Sequence, residues 1–140
     1  MEKMDTKKEI YIDPRILEHD FNFPFWIDNI KLWALDVPVE EIDIKELLWI
    51  FDFPFWEDSE DNLTITPNEV INDPDKYKLH AEKIKSADTS YPLDIMKNKK
   101  GAWLTLDGLH RLVKLALRKE TIIKVRKIPP ELIPLVAKEK

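Results

Sequence analysis

Within five consecutive residues, Asp107-Gly108-Leu109-His110-Arg111, the chain groups a carboxylate, a glycine, an imidazole and a guanidinium. These are the side-chain types that phosphate chemistry uses. Arg111 supplies a planar, two-pronged donor suited to phosphate or carboxylate. His110 offers a hydrogen-bond donor or a proton-transfer group near neutral pH. Asp107 can cap a helix, bind Mg²⁺ or orient a hydroxyl. The plainer reading of the same residues is a capped helix with a structural histidine and an arginine paired to a carboxylate at the core edge.

The flanking residues decide what the segment is attached to. Trp103-Leu104-Thr105-Leu106 reads as a strand, and Leu109 to Arg118 as an amphipathic helix with Leu109, Leu112, Val113 and Ala116 facing inward. A strand–loop–helix junction leaves free backbone N–H groups at the positive end of the helix dipole, which favours an anion there. Asp107 is the expected N-cap. The chain has only two glycines in 140 residues, against a usual share of about 7%. Gly108 is therefore expected to meet a backbone need at the junction, and Gly101 to close a hairpin between strands 93–96 and 102–106.

Further elements follow from local signals. Leu32 to Ile44 is strand-like, with Pro38 marking an edge or an end. Residues 45–51 could give a short helix. Thr66-Pro67-Asn68-Glu69 is a capping box with proline at the first helical position. Asp73-Pro74 repeats the start signal, for a longer helix carrying Tyr77, Ala81 and Ile84 on one face. His80 on that helix reads as a surface or hydrogen-bonded histidine. Ile122 to Ile128 is a last strand, ended by Pro129-Pro130. Phe21-Asn22-Phe23-Pro24-Phe25-Trp26 is nearly duplicated as Phe51-Asp52-Phe53-Pro54-Phe55-Trp56. Two copies do not make a solenoid. Both are expected to plug the core, or the first to act as an arm that covers a pocket or docks on a second subunit of a homodimer.

Composition bounds the function. Hydrophobic residues at 44% and charged residues at 35% describe a globular chain. With no cysteine, disulfides, thiolate catalysis and cysteine-held metals are excluded. The charged start and the lack of a long apolar run lead to the expectation of a cytoplasmic protein that does not enter membranes. The net charge is −5, acidic from Asp36 to Asp61 and basic from Lys97 to Lys127. This asymmetry suits a small anion better than a DNA groove, or is simply a solvated basic face.

The run Thr105-Leu106-Asp107-Gly108-Leu109-His110-Arg111-Leu112-Val113-Lys114-Leu115-Ala116, followed by the strand Ile122 to Arg126, resembles the ParB/sulfiredoxin-like superfamily. That superfamily carries a Gly-x-(His/Arg)-Arg signature at a strand-to-helix junction. The likeness spans residues 30–128, and its specific part is the seven residues around Gly108. It implies a compact single α+β domain with a small mixed sheet, an N-terminal extension over 1–29 and a tail over 129–140. It also implies nucleotide-phosphate binding by Gly108, Leu109, His110 and Arg111. Sulfiredoxin chemistry needs a cysteine where Leu109 stands. The partition proteins carry Arg-Arg where His110-Arg111 stand and continue into a DNA-binding domain, so sequence-specific DNA binding is not expected. The Asp-Gly-x-His-Arg form is similar to that of the free-serine kinases. By that resemblance Asp107 would position Mg²⁺ or phosphate, and Glu40 or Glu41 would be the general base, with Asp107 and His110 completing the catalytic set. ATP, ADP or CTP with Mg²⁺ is the expected ligand, and a small hydroxyl-bearing molecule the expected acceptor. The alternative is a non-catalytic regulatory or interaction module.

Overall fold

The computed structural model describes residues 14–21 and 26–138. In chain order these form α1 (Pro14–His19), β1 (Trp26–Ile27), α2 (Asn29–Trp33), β2 (Val39–Asp43), two 3₁₀ turns (Ile44–Glu46 and Leu48–Asp52), β3 (Trp56–Glu57) and β4 (Leu63–Ile65). There follow α3 (Pro67–Asn72), α4 (Lys78–Ser86), β5 (Leu93–Lys97), β6 (Trp103–Asp107), α5 (Leu109–Leu117), β7 (Ile122–Lys127), a 3₁₀ turn (Pro130–Leu132), α6 (Ile133–Val136) and β8 (Ala137–Lys138). The architecture is α+β. A four-stranded mixed sheet runs in the order β2-β7-β5-β6, with β5 and β7 parallel and the two outer pairs antiparallel. Among the described residues no helix is long and apolar enough to cross a membrane.

Each face of the sheet is covered. Leu93, Ile95, Leu104, Ile123 and Val125 pack with Ile84 of α4, Leu112 and Val113 of α5 and the buried Ile50, Phe51 and Trp56. Met96 on β5 packs with Leu32 of α2 and with Ile128, Ile133 and Val136. β5 is buried on both faces because it lies inside the sheet between two helical layers. Fully burying a Leu- or Ile-sized side chain contributes about 1.5–3 kcal/mol, so these layers carry the fold.

Several local expectations are met. The capping box closes in both directions, Glu69 N donating to Thr66 Oγ1 at 3.0 Å and Thr66 N to Glu69 Oε1 at 2.8 Å. Gly101 takes φ +79° in the hairpin turn, which Asn98 Oδ1 tightens by accepting from Lys100 N and Ala102 N. Tyr77, Ala81 and Ile84 do share the inward face.

Three expectations are corrected. Leu32 and Trp33 are the end of α2, and the strand starts only at Val39. Asp28 caps that helix by accepting from Lys31 N at 3.2 Å, and Pro38, with no N–H, keeps the ladder from starting earlier. The helix expected from Asp73-Pro74 starts at Lys78, because Asp73 instead closes a separate turn through Lys76 N and Tyr77 N. Residues 44–52 form two 3₁₀ turns rather than one α-helix.

The second aromatic copy lies on the core, with Phe51 and Trp56 buried and Trp49, Phe53 and Phe55 meeting edge-to-face or tilted. Most of the first copy, and so the expected arm, lies outside the described residues. On the same chain α1 is tied to the hairpin turn, where Asn98 Nδ2 donates to His19 O at 2.7 Å and Lys99 N to Asp20 O at 3.0 Å.

Candidate anion site at the start of helix α5

The junction between β6 and α5 is where the sequence expected it, but its cap is different. Asp107 is the last residue of β6, and the N-cap of α5 is Gly108, at φ +105° with no side-chain cap bond. The N–H groups of Leu109, His110 and Arg111 thus begin the helix without a side-chain acceptor. A Cβ on Gly108 would lie 3.2 Å from Arg111 Nη1 and 3.2 Å from Leu93 Cγ. The missing side chain therefore makes room for the Arg111 guanidinium as well as for the turn.

Asp107 turns its carboxylate to α2, where Trp33 Nε1 donates to Oδ2 at 2.8 Å. It stands directly opposite Asp94 across the β5–β6 ladder, beside a register shift between Asp94 and Ile95. Like charges in facing positions repel, so each carboxylate needs its own donor. Asp94, 3% exposed, receives Arg126 Nε at 2.6 Å. Arg126 in turn donates to Leu35 O at 2.7 Å and Leu32 O at 2.9 Å, binding the end of α2 to the sheet. Trp33, Tyr91, Asp94, Asp107, Arg111 and Arg126, with Pro92, line a cavity of about 510 Å³.

Arg111 is partly committed. Its Nε donates to Asp88 O at 2.8 Å and its Nη1 to Pro92 O at 2.9 Å, with the guanidinium 5.9 Å from the Tyr91 ring centre. Lys114 donates to Lys85 O and Ala87 O, and Arg118 to Thr89 Oγ1. Arg111 and Lys114 on α5 and Arg118 just past its end, at i, i+3 and i+7, thus hold the segment 85–92 by its oxygens. Nη2 of Arg111 has no protein acceptor among the described residues, and Arg111 lines the cavity. Asp88 in that segment titrates below the ordinary carboxylate range, first because the Ser90 side chain and backbone donate to it.

His110 looks the other way, into a cavity of about 280 Å³ bordered by Phe21, Trp56, Thr105, Asp107 and Gly108. Its ring stacks on Trp56 at 4.2 Å and 10°, and its Nε2 is 2.9 Å from Nδ1 of the buried His80. Burial, helped by His80 and Lys83 nearby, pushes the His110 imidazole down to about 4. It is neutral at physiological pH.

The expected site residues are thus brought together in part. Asp107, Gly108, Leu109, His110 and Arg111 adjoin, with Asp107 on the wall of both cavities. Glu40 and Glu41 are exposed on the outer strand β2, three strand spacings (about 14 Å) from β6. Glu40 faces Lys127 at 3.5 Å, and neither glutamate borders either cavity. A general base must come within about 3 Å of its proton, so this placement does not bring them to the junction. Among the described residues no three His, Asp or Glu side chains gather as a metal site. A Mg²⁺ ion held by one carboxylate, water and substrate phosphates is compatible with that, and the second oxygen of Asp107 could supply the carboxylate.

Sequence reasoning missed Trp33, Asp94, Arg126 and the partnership of His80. Two signals were available. His80 belongs to the inward stripe of Tyr77, Ala81 and Ile84, and Arg126 interrupts a buried strand beside Val125. A polar residue on an inward stripe needs a buried partner. No protein-family model, no curated protein and no solved structure matches the chain.

Proposed function

We propose that this is a nucleotide-binding domain of ParB/sulfiredoxin-like type, which holds the phosphates of ATP, ADP or CTP at the start of α5. The observation that carries the reading is the helix N-terminus at Gly108, uncapped by any side chain and open beside two cavities and Arg111. Backbone N–H groups of Leu109, His110 and Arg111 would take phosphate oxygens, with Nη2 of Arg111 as the charged partner. Asp107 would hold Mg²⁺ by its second oxygen, and the Trp33 and Tyr91 rings offer faces for a base. In its fuller form the domain transfers a phosphoryl group to a small hydroxyl-bearing molecule, a reaction that rests mainly on positioning and charge stabilisation. The distance of Glu40 and Glu41 from the junction favours a second reading, a domain that senses the nucleotide without turning it over.

The test is a thermal-shift series with ATP, ADP, CTP and GTP, each with and without Mg²⁺. A nucleotide at 100 times its dissociation constant should stabilise the fold by about 2.7 kcal/mol. The expected result is a selective rise in melting temperature that Arg111→Ala abolishes. No rise with any nucleotide would contradict the proposal.

A further inference from the structure

The paired histidines carry an inference that goes beyond phosphate binding. Glu57 O is a carbonyl and can only accept, so His80 Nε2, 2.7 Å away, must carry the proton. In neutral His80 the Nδ1 is then bare. It lies 2.9 Å from His110 Nε2, which must therefore be the donor. In neutral His110 the remaining nitrogen, Nδ1, is bare in turn, and no hydrogen-bond partner faces it among the described residues. One backbone carbonyl fixes two tautomers in sequence.

The surroundings hold both rings in place. The His80 and His110 planes differ by 12° and both lie on one face of Trp56, at 4.8 Å and 4.2 Å. His80 is 3% exposed and cannot turn without losing both bonds. The charged groups around the pair come from three elements. Glu57 on β3 has a carboxylate oxygen 3.9 Å from His80 Nε2, and Lys83 on α4 lies 3.7 Å from that same carboxylate and offsets it. Asp107 on β6 shares the cavity wall with His110 but turns one oxygen to Trp33. The positive end of the α5 dipole opposes an imidazolium at this position.

We infer that His110 Nδ1 accepts a hydrogen bond from a hydroxyl group lodged beside the start of α5, and that His80 is the positioning residue that keeps this nitrogen bare. A lone pair attracts an O–H donor and repels an ionised phosphate oxygen. The phosphates therefore fall to the backbone N–H groups and Arg111, and the His110 side chain selects the neighbouring hydroxyl. The hydroxyl ligand rests on the nucleotide reading above; the role of His80 does not. The hydroxyl belongs either to the ribose of the nucleotide or to a separate alcohol.

Long-range ¹H–¹⁵N correlation of the imidazoles at pH 7 tests both parts. His80 and His110 are expected as Nε2–H tautomers with bare Nδ1. His80→Phe keeps a ring on Trp56 but removes the acceptor, so His110 should lose its single tautomer. His80→Asn places Oδ1 where Nδ1 stood and should restore it. An Nδ1–H or charged His110 in the wild type, or an unchanged His110 in His80→Phe, overturns the assignment. ATP with Mg²⁺ should then shift His110 Nδ1 in the direction of an accepted hydrogen bond, and inorganic triphosphate should not. If 2′,3′-dideoxy-ATP fails to shift it, the ribose is the source; if dideoxy-ATP with glycerol shifts it, the source is a separate alcohol. Backbone amides of 108–111 that respond while Nδ1 stays silent in every arm would overturn the hydroxyl assignment and leave the phosphate site standing. Silent amides would remove the nucleotide reading and the hydroxyl with it, and the tautomer pattern would still decide the part of His80.

Discussion

Trp33 Nε1 donates to Asp107 Oδ2 at 2.8 Å, joining α2 to the last residue of β6 across 74 positions of sequence. The bond uses one carboxylate oxygen and leaves the other for the Mg²⁺ of the proposed site. Asp107→Asn keeps an oxygen acceptor for the indole but removes the charge that would hold Mg²⁺. The fold should therefore survive, while the gain in ATP affinity on adding Mg²⁺ falls on the order of tenfold, about 1.4 kcal/mol. Calorimetric titration with and without Mg²⁺ checks this, and an unchanged Mg²⁺ dependence would remove Asp107 from the metal site.

Asp94 and Arg126 form the buried ion pair beneath the same cavity. Asp94→Ala leaves a guanidinium that is 9% exposed without its carboxylate, and should destabilise the domain by about 3–5 kcal/mol. Asp94→Asn retains an acceptor and should cost less. Urea denaturation of the two variants gives the comparison.

The two glycines should respond differently to alanine. At Gly101 an added Cβ meets nothing within 4 Å, so only the positive φ is penalised, by about 1–2 kcal/mol. At Gly108 the same backbone penalty is joined by contacts at 3.2 Å with Leu93 Cγ and Arg111 Nη1. Gly108→Ala should be the more destabilising and should also weaken nucleotide binding by displacing Arg111. Equal effects on stability and no effect on binding would contradict this.

His110 makes the stability depend on pH with a definite sign. Its ordinary value is 6.5, and in the folded protein it is pushed down to about 4, first by burial and then by nearby His80 and Lys83. Between those values the unfolded chain binds the extra proton, so stability is full above about 6.5 and falls as pH drops toward 4. Melting curves across this window should flatten in His110→Gln relative to wild type. An identical slope in the two proteins would remove His110 as the cause.

Legibility in the sequence followed the range of the interaction. The capping box at Thr66, the turn at Gly101 and the strand–loop–helix at Gly108 are local, made by residues within a few positions of one another, and could be read from order alone. The α2 segment misled because its apolar residues suit a strand equally well; its local cap at Asp28 went unread, and the carbonyls of Leu32 and Leu35 find a remote partner in Arg126 on β7. The same applies to the site. The loop Asp107 to Arg111 was visible as a motif, but its side chains divide between two cavities according to partners 74 and 30 positions away, Trp33 and His80. Glu40 and Glu41 were placed near it by family resemblance, and the strand order β2-β7-β5-β6 sets them at the opposite edge.

Phosphate binding at the start of α5 is tested most directly by titrating ATP with Mg²⁺ into ¹⁵N-labelled protein and following the backbone amides. The amides of Leu109, His110 and Arg111 should shift most and together, to a single saturating curve, as N–H groups that gain an anionic acceptor. Saturating ATP that leaves these three amides unmoved, or moves a different surface instead, would contradict the phosphate site.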